Sequence, residues 1–218
     1  MSPGELEAGL RAAFAGSSEE MPRKLADLEL PLLVRKALLP SAVLLKPAAV
    51  LVPIVRRPDG LSVLLTRRAD TLRHHKGQIS FPGGRRDPED ASFADCALRE
   101  AEEEVALPRD RVEVIGYLDD YPTLSRYLVT PVVALVEPPE VYRFDPGEVA
   151  EVFEVPLPAV LDRAQFRRGM LDRDGLRLPF MELLYGERRI WGATAGMLWG
   201  FSHRVNPHLA PDGARLAL

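Results

Sequence analysis

Gly84-Arg85-Arg86-Asp87-Pro88-Glu89-Asp90 leads into residues 91–107, which contain Arg99-Glu100-Ala101-Glu102-Glu103-Glu104. The length, alanine content and charge placement of 91–107 predict a helix. At 100° per residue, Glu100, Glu103 and Glu104 fall on one face and Glu102 points away. Ala94, Ala97, Leu98, Ala101 and Val105 form an apolar stripe on the adjoining face, so the helix is expected to seat on a core. Like charges at i, i+3 and i+4 cost helix stability, by about a few tenths of a kcal/mol per pair. A hard divalent cation compensates that repulsion, and oxygen ligands without clustered His or Cys favour magnesium or manganese over zinc. Arg99 stands four residues before Glu103, where an ion pair holds that carboxylate in one rotamer. The competing reading is a solvated acidic helix face. Pro82-Gly83-Gly84 argues against it, because glycine tolerates positive φ and lets backbone approach an anion or metal closely.

Working outward, Pro47–Arg56 and Leu61–Thr66 flank Pro58-Asp59-Gly60, strong turn chemistry that predicts a hairpin. Further strands are expected at Val112–Leu118, Tyr127–Val136 and Leu176–Tyr185, with helices near Leu157–Phe166 and from Thr194 towards Val205. Ahead of the hairpin, Glu5–Ala15 and Pro22–Leu39 carry helical patterns, with Ser17-Ser18-Glu19-Glu20 offering a cap between them. The order is mixed α/β, with crossovers too irregular for a doubly wound parallel sheet and no repeat of solenoid length. The expected organisation is a helical arm over 1–45, a main domain over 46–205 and a tail over 206–218.

The chain has 218 residues and a hydrophobic share of 46%, enough for a packed core and against wholesale disorder. A net charge of -4 removes the bulk basic field of a general nucleic-acid binder. Only four of the 28 cations are lysines, so positive charge is carried by guanidinium groups, which suit phosphate. The single cysteine, Cys96, forms no intramolecular disulfide and fits a reducing compartment. The opening residues lack a secretory h-region, and the apolar run 42–55 is broken by Lys46, Pro47 and Pro53. A cytoplasmic protein is expected, without nucleic-acid or membrane partners.

Gly84 through Leu107 resembles the Nudix box: Gly, five residues, Glu, seven residues, Arg-Glu, an apolar residue, one residue, Glu-Glu, one residue, Gly, apolar. Arg99, Glu100, Ala101, Glu103, Glu104 and Leu107 occupy their places. The sequence departs in three ways. One extra residue separates Gly84 from Arg99; an acidic cluster of Asp87, Glu89 and Asp90 replaces the first Glu; and Ala106 stands where the box has glycine. Upstream, Leu64-Leu65-Thr66-Arg67-Arg68-Ala69, Arg73, Gly77 and Phe81-Pro82-Gly83-Gly84 resemble the motif of the coenzyme A diphosphatase branch, with Ala69 in place of Ser. The two motifs cover 64–107 without a gap.

The resemblance implies an α/β/α sandwich around a mixed sheet, and hydrolysis of the coenzyme A diphosphate to 4′-phosphopantetheine and adenosine 3′,5′-bisphosphate. It implies Mg2+ or Mn2+ held by Glu100, Glu103, Glu104 and Gly84, activating the attacking water, with Arg99 bracing the carboxylates. Arg68, Arg73, Lys76, Gly77 and Gly83 are the implied substrate-binding residues. His74 and His75 are candidates to extend that cationic pocket. Glu148 and Glu151 are candidates for the general base, Glu148 slightly favoured. Cys96 reads as a small buried filler, and Trp191 and Trp199 as core. The alternatives are another substrate such as ADP-ribose, or a nucleotide-binding module without catalysis. The arm's helices are candidates for packing on the domain or for a homodimer contact.

Overall fold

Ser2 opens the chain with a capping box, its hydroxyl accepting the Glu5 N–H at 3.3 Å while its own N–H donates to Glu5 Oε2 at 2.7 Å. The helix that follows, α1 (Pro3–Phe14), therefore starts two residues earlier than periodicity alone predicts. The computed structural model describes residues 1–20, 24–26, 45–72, 75–173 and 175–209. The helix expected over 22–39 lies outside the described residues, as does the tail beyond 209.

In chain order there follow β1 (Lys46–Arg57), β2 (Gly60–Arg68), β3 (Ile79–Ser80), β4 (Gly83–Arg85) and α2 (Phe93–Val105), the carboxylate helix. Then come β5 (Val112–Tyr117), β6 (Tyr121–Pro122), β7 (Tyr127–Val136), β8 (Val149–Pro156) and α3 (Leu157–Leu161). The chain continues through β9 (Phe166–Arg173), β10 (Leu176–Tyr185), β11 (Arg188–Trp191) and α4 (Ala193–Val205). β1 runs parallel to β7, and the other pairings are antiparallel, so the larger sheet is mixed. β9, β10 and β11 form a second, three-stranded sheet.

The pairing of β1 positions the site. Its C-terminal half pairs β2 from Ile54↔Val63 to Arg57↔Gly60, closed by Pro58-Asp59. Towards its N-terminus β1 leaves β2 and pairs β4 instead, through Ala48↔Arg85, Ala49↔Gly84 and Val50↔Gly83. β2 meanwhile takes up β3 at Thr66↔Ser80. The segment from Ile79 to Arg85 thus fills a wedge between two diverging strands, and the Leu51 N–H holds it by donating to the Pro82 carbonyl at 2.8 Å.

Helices flank the sheet on both faces. Ala97, Ala101 and Val105 of α2 pack with Leu51, Leu64 and Val132 on one side. On the other, Leu10 and Phe14 of α1 join Leu198 and Phe201 of α4 against Ile54, Leu65 and Val133. Each fully buried Leu, Ile or Phe here contributes about 1.5–3 kcal/mol.

Three parts of the architecture differ from expectation. β8, β9 and β11 were not expected as strands: β9 and β11 are dense in charge, and β8, with Glu151 and Glu154 set among apolar residues, breaks strict alternation. The helix at 157 ends at Leu161, where Asp162 accepts the Ala164 N–H at 3.0 Å and starts a short 3-10 turn. The helix that Ser17–Glu20 was expected to cap lies outside the described residues, and the segment has a second contact. Glu19 Oε1 accepts the Phe93 N–H at 2.8 Å at the start of α2. Trp191 and Trp199, expected as core, are only half-buried: Trp199 of α4 packs against the core and Trp191 of β11 meets the Phe180 ring edge-on. Among the described residues no helix is long and apolar enough to cross a membrane.

Candidate active site

α2 begins at Ser92, whose hydroxyl accepts the Asp95 N–H at 2.9 Å. It ends at Ala106, held at φ 50°, ψ 40°, where the Leu107 N–H reaches back to the Ala101 carbonyl at 3.3 Å. Between these caps the buried stripe fixes the rotation of the helix and so presents Arg99, Glu100, Glu103 and Glu104 to the wedge.

Arg99 is the hub. Its Nε and Nη2 grip both oxygens of Asp90 at 2.9 and 3.0 Å, its Nη2 donates to the Arg85 carbonyl at 3.3 Å, and its Nη1 reaches Glu100 at 2.9 Å and Glu103 at 3.2 Å. Of the acidic cluster that replaces the first Glu of the box, Asp90 makes the bidentate contact with Arg99; Asp87 stands 3.8 Å away and Glu89 is exposed. The guanidinium, acting against desolvation, holds the buried Asp90 carboxyl down at about 2.

Glu100 and Glu103 thus converge on one nitrogen, while Glu104 turns towards the sheet. The Glu104 side chain is 5% exposed; its Oε1 lies 3.9 Å from Arg68 Nη1, and its Oε2 is buried with no hydrogen-bond partner. Burial raises its pKa to about 8, against the pull of Arg68 and with a push from Glu100 and Glu148. Burial raises Glu100 in the same sense. Arg68 Nε is likewise buried and without a hydrogen-bond partner. Arg68 reaches this face by alternation along β2, four residues after Leu64, which packs with α2; beyond Arg67 the pairing with β8 shifts, so that Arg68 meets Val149.

Two glycines shape the wedge, Gly83 against backbone and Gly84 against a side chain. A Cβ on Gly83, at φ 156°, would fall 2.6 Å from Val50 Cα, and one on Gly84 would fall 2.5 Å from the Glu100 carboxylate. The Gly84 backbone therefore approaches Glu100 directly. Among the described residues no three His, Cys, Asp or Glu side chains already stand as a ligating group. The donor chemistry nonetheless suits a hard divalent cation. Every donor is oxygen, Glu104 has an orphaned buried oxygen, and the Gly84 backbone is bare beside Glu100.

The two candidate bases separate. Glu148 is exposed at the rim, near enough for its charge to raise both Glu100 and Glu104, and its carbonyl accepts the Ala69 N–H at 2.8 Å. Glu151 pairs with Arg188 and, at 3.7 Å, with Arg67. Lys76 is exposed and Gly77 takes φ 63°, while Arg73 and His74 lie outside the described residues. Cys96 is fully buried, and burial pushes its thiol up to about 12, so it packs as a neutral filler.

The model of the NUDIX domain matches residues 45–173. The chain belongs to the Nudix family. A protein of Cronobacter sakazakii named an uncharacterized Nudix hydrolase NudL is 43% identical over 166 residues, 76% of this chain and 86% of that one. A protein of the same name from Photorhabdus laumondii is 42% identical over 158 residues, 72% of this chain and 84% of that one. The crystal structure of a MutT protein from Methanosarcina mazei covers 76% of this chain and 99% of that one, with TM-score 0.50 and 18% identity, a likeness of fold. The coarse activity of a Nudix hydrolase, on a nucleoside diphosphate derivative, goes with this membership.

Within the Nudix box the departures acquire positions. Asp90 stands six residues after Gly84, where the box has Glu, and the extra residue falls between Asp90 and Arg99. The shorter Asp side chain still reaches Arg99 with both oxygens. Ala106 adopts the left-handed conformation that the glycine of the box adopts without strain.

Proposed function

We propose that this Nudix hydrolase cleaves the diphosphate of coenzyme A, yielding 4′-phosphopantetheine and adenosine 3′,5′-bisphosphate. The observation that carries the proposal is the motif from Leu64 to Gly84, with its Arg68 beside Glu104 and its Gly83-Gly84 in the wedge. Glu100, Glu103, Glu104 and the Gly84 backbone would hold Mg2+ or Mn2+, which supplies charge neutralisation on the phosphates and a lowered pKa for bound water.

The rest falls to the chain's own groups. Arg68, with an unspent buried Nε, offers a guanidinium to a phosphate oxygen. Arg73, Lys76 and Gly77 extend that binding along the loop, and Gly83 leaves room for the diphosphate backbone contacts. Arg99 keeps Glu100 and Glu103 in place through Asp90. Glu148, exposed at the rim, takes the proton from the attacking water.

The test is a substrate panel of coenzyme A, ADP-ribose and a dinucleotide with each metal, read by product identification. Release of adenosine 3′,5′-bisphosphate from coenzyme A, lost in Glu103→Gln, is the expected result. Turnover of ADP-ribose with none of coenzyme A overturns the proposal.

A further inference from the structure

On the sheet face opposite Arg68 and Glu104, an ionic chain ends at Asp70, where the chain leaves β2. Arg67 Nη1 donates to Asp70 at 3.2 Å and Arg67 Nε lies 3.7 Å from Glu151, which is bound in turn by Arg188. Arg67 and Glu151 are cross-strand partners in β2 and β8. Arg188 arrives from β11 in the second sheet. Asp70 closes the other end: a Cβ on Gly77 would sit 2.9 Å from Asp70 Oδ1 and 3.9 Å from Arg67 Nη1. Asp70 and Gly77, on either side of the loop, therefore lie beside one guanidinium, which Glu151 pairs from its other edge while itself bound by Arg188.

Arg188 is itself constrained. Its guanidinium lies 4.5 Å from the centre of the Phe153 ring, and its Nε is buried without a hydrogen-bond partner. A buried donor left unmet is not what stability alone selects. The ion pairs are about a third exposed, with side-chain exposures of 34% for Arg67, 34% for Glu151 and 38% for Arg188, so they add little to folding. Beside this chain, buried Thr194 at the start of α4 donates to the Ile79 carbonyl at 2.9 Å, just past the end of the loop. The second sheet and α4 thereby grip the loop from outside the substrate cleft.

We infer that Arg188 is a positioning residue for substrate binding, acting through Glu151 and Arg67 on the loop from Asp70 to Gln78. It touches neither the carboxylates of α2 nor the substrate. Its loss weakens the grip on substrate and leaves the bond-breaking step alone. The inference rests on reading 68–77 as the substrate-binding loop.

The test is steady-state kinetics of Arg188→Gln, Arg188→Lys, Arg67→Gln and the Arg67→Gln/Arg188→Gln double variant, with melting temperatures alongside. Arg188→Gln is expected to raise KM roughly tenfold, a usual size for coupling between sites, with kcat within about twofold and Tm within about 3 °C. Arg188→Lys, which keeps the charge, restores KM to within about threefold. The double variant should match the single ones, because both cut one chain. An unchanged KM in Arg188→Gln, a parallel fall of kcat and Tm, or additive effects in the double variant overturn the inference. If coenzyme A is not a substrate, the same kinetics are run on ADP-ribose. Failure of the substrate proposal then stays separate from failure of the role of Arg188.

Discussion

Replacing Glu104 by Gln should stabilise the metal-free protein while abolishing its activity. The carboxyl is buried and its pKa is raised from 4.5 to about 8. Between those values the folded state binds a proton that the unfolded state has released. Stability is therefore fully present below pH 4.5 and declines as pH rises towards 8. At about 1.4 kcal/mol per pH unit the whole span amounts to roughly 5 kcal/mol, of which about 3 kcal/mol is lost by pH 7. Gln has nearly the same shape and no charge to desolvate. In thermal unfolding with a chelator, wild-type Tm should fall between pH 5 and pH 8, with a much shallower slope for Glu104→Gln. At pH 7 the variant should melt about 6–12 °C higher, using about 2–4 °C per kcal/mol for a chain of this size. Added manganese should raise the wild-type Tm and leave the variant nearly unmoved. A variant that melts below wild type at pH 7 in chelator would refute the reasoning, since burial of the charge would then not be the dominant effect.

Asp90→Asn should remove the bidentate support of Arg99 and cost about 2 kcal/mol or more near neutral pH, measured by urea unfolding. Because Arg99 holds the Asp90 carboxyl at about 2 instead of 3.8, that contribution is complete above pH 3.8, and the gap to wild type should close as pH falls through 2. Ala106→Gly should stabilise the protein by up to about 1 kcal/mol, since the residue already sits at φ 50°; no gain in denaturant midpoint would show that Ala carries no strain there. Gly84→Ala should keep its melting temperature within a few degrees, because the clash at 2.5 Å is with the movable end of Glu100, yet lose activity by displacing that carboxylate. Retained turnover would remove Gly84 and Glu100 from the proposed cation site.

Much of the site was legible because α-helical spacing is rigid. Glu100, Glu103 and Glu104 share a face as soon as 91–107 is a helix, and the hairpin at Pro58-Asp59 follows from turn chemistry. What could not be read was direction. Spacing puts three carboxylates together, whereas the structure sends Glu104 to Arg68 and the other two to Arg99, a choice made by packing against β2. Among Asp87, Glu89 and Asp90, tertiary placement singles out Asp90, and one cue in the sequence pointed the same way, its six-residue step from Gly84. The strands β8, β9 and β11 escaped because their order comes from neighbours and not from alternation. Arg188 escaped with them, since nothing local links it to a loop more than a hundred residues earlier.

The wedge between β1 and β2 has a consequence for what this enzyme can become. Gly83 and Gly84 are stitched to Val50 and Ala49 in the N-terminal half of β1, a strand of the core, with no space for even a methyl group at Gly83. In the proposed function the cutting edge and the foundation are the same atoms, so the cradle cannot drift without the whole sheet opening. Asp70, where the next loop begins, is held by partly exposed ion pairs and bears no such burden. On that proposal a lineage built on this plan is free to rewrite what it recognises by editing the loop and its arginine supports, while how it cuts stays anchored in the core.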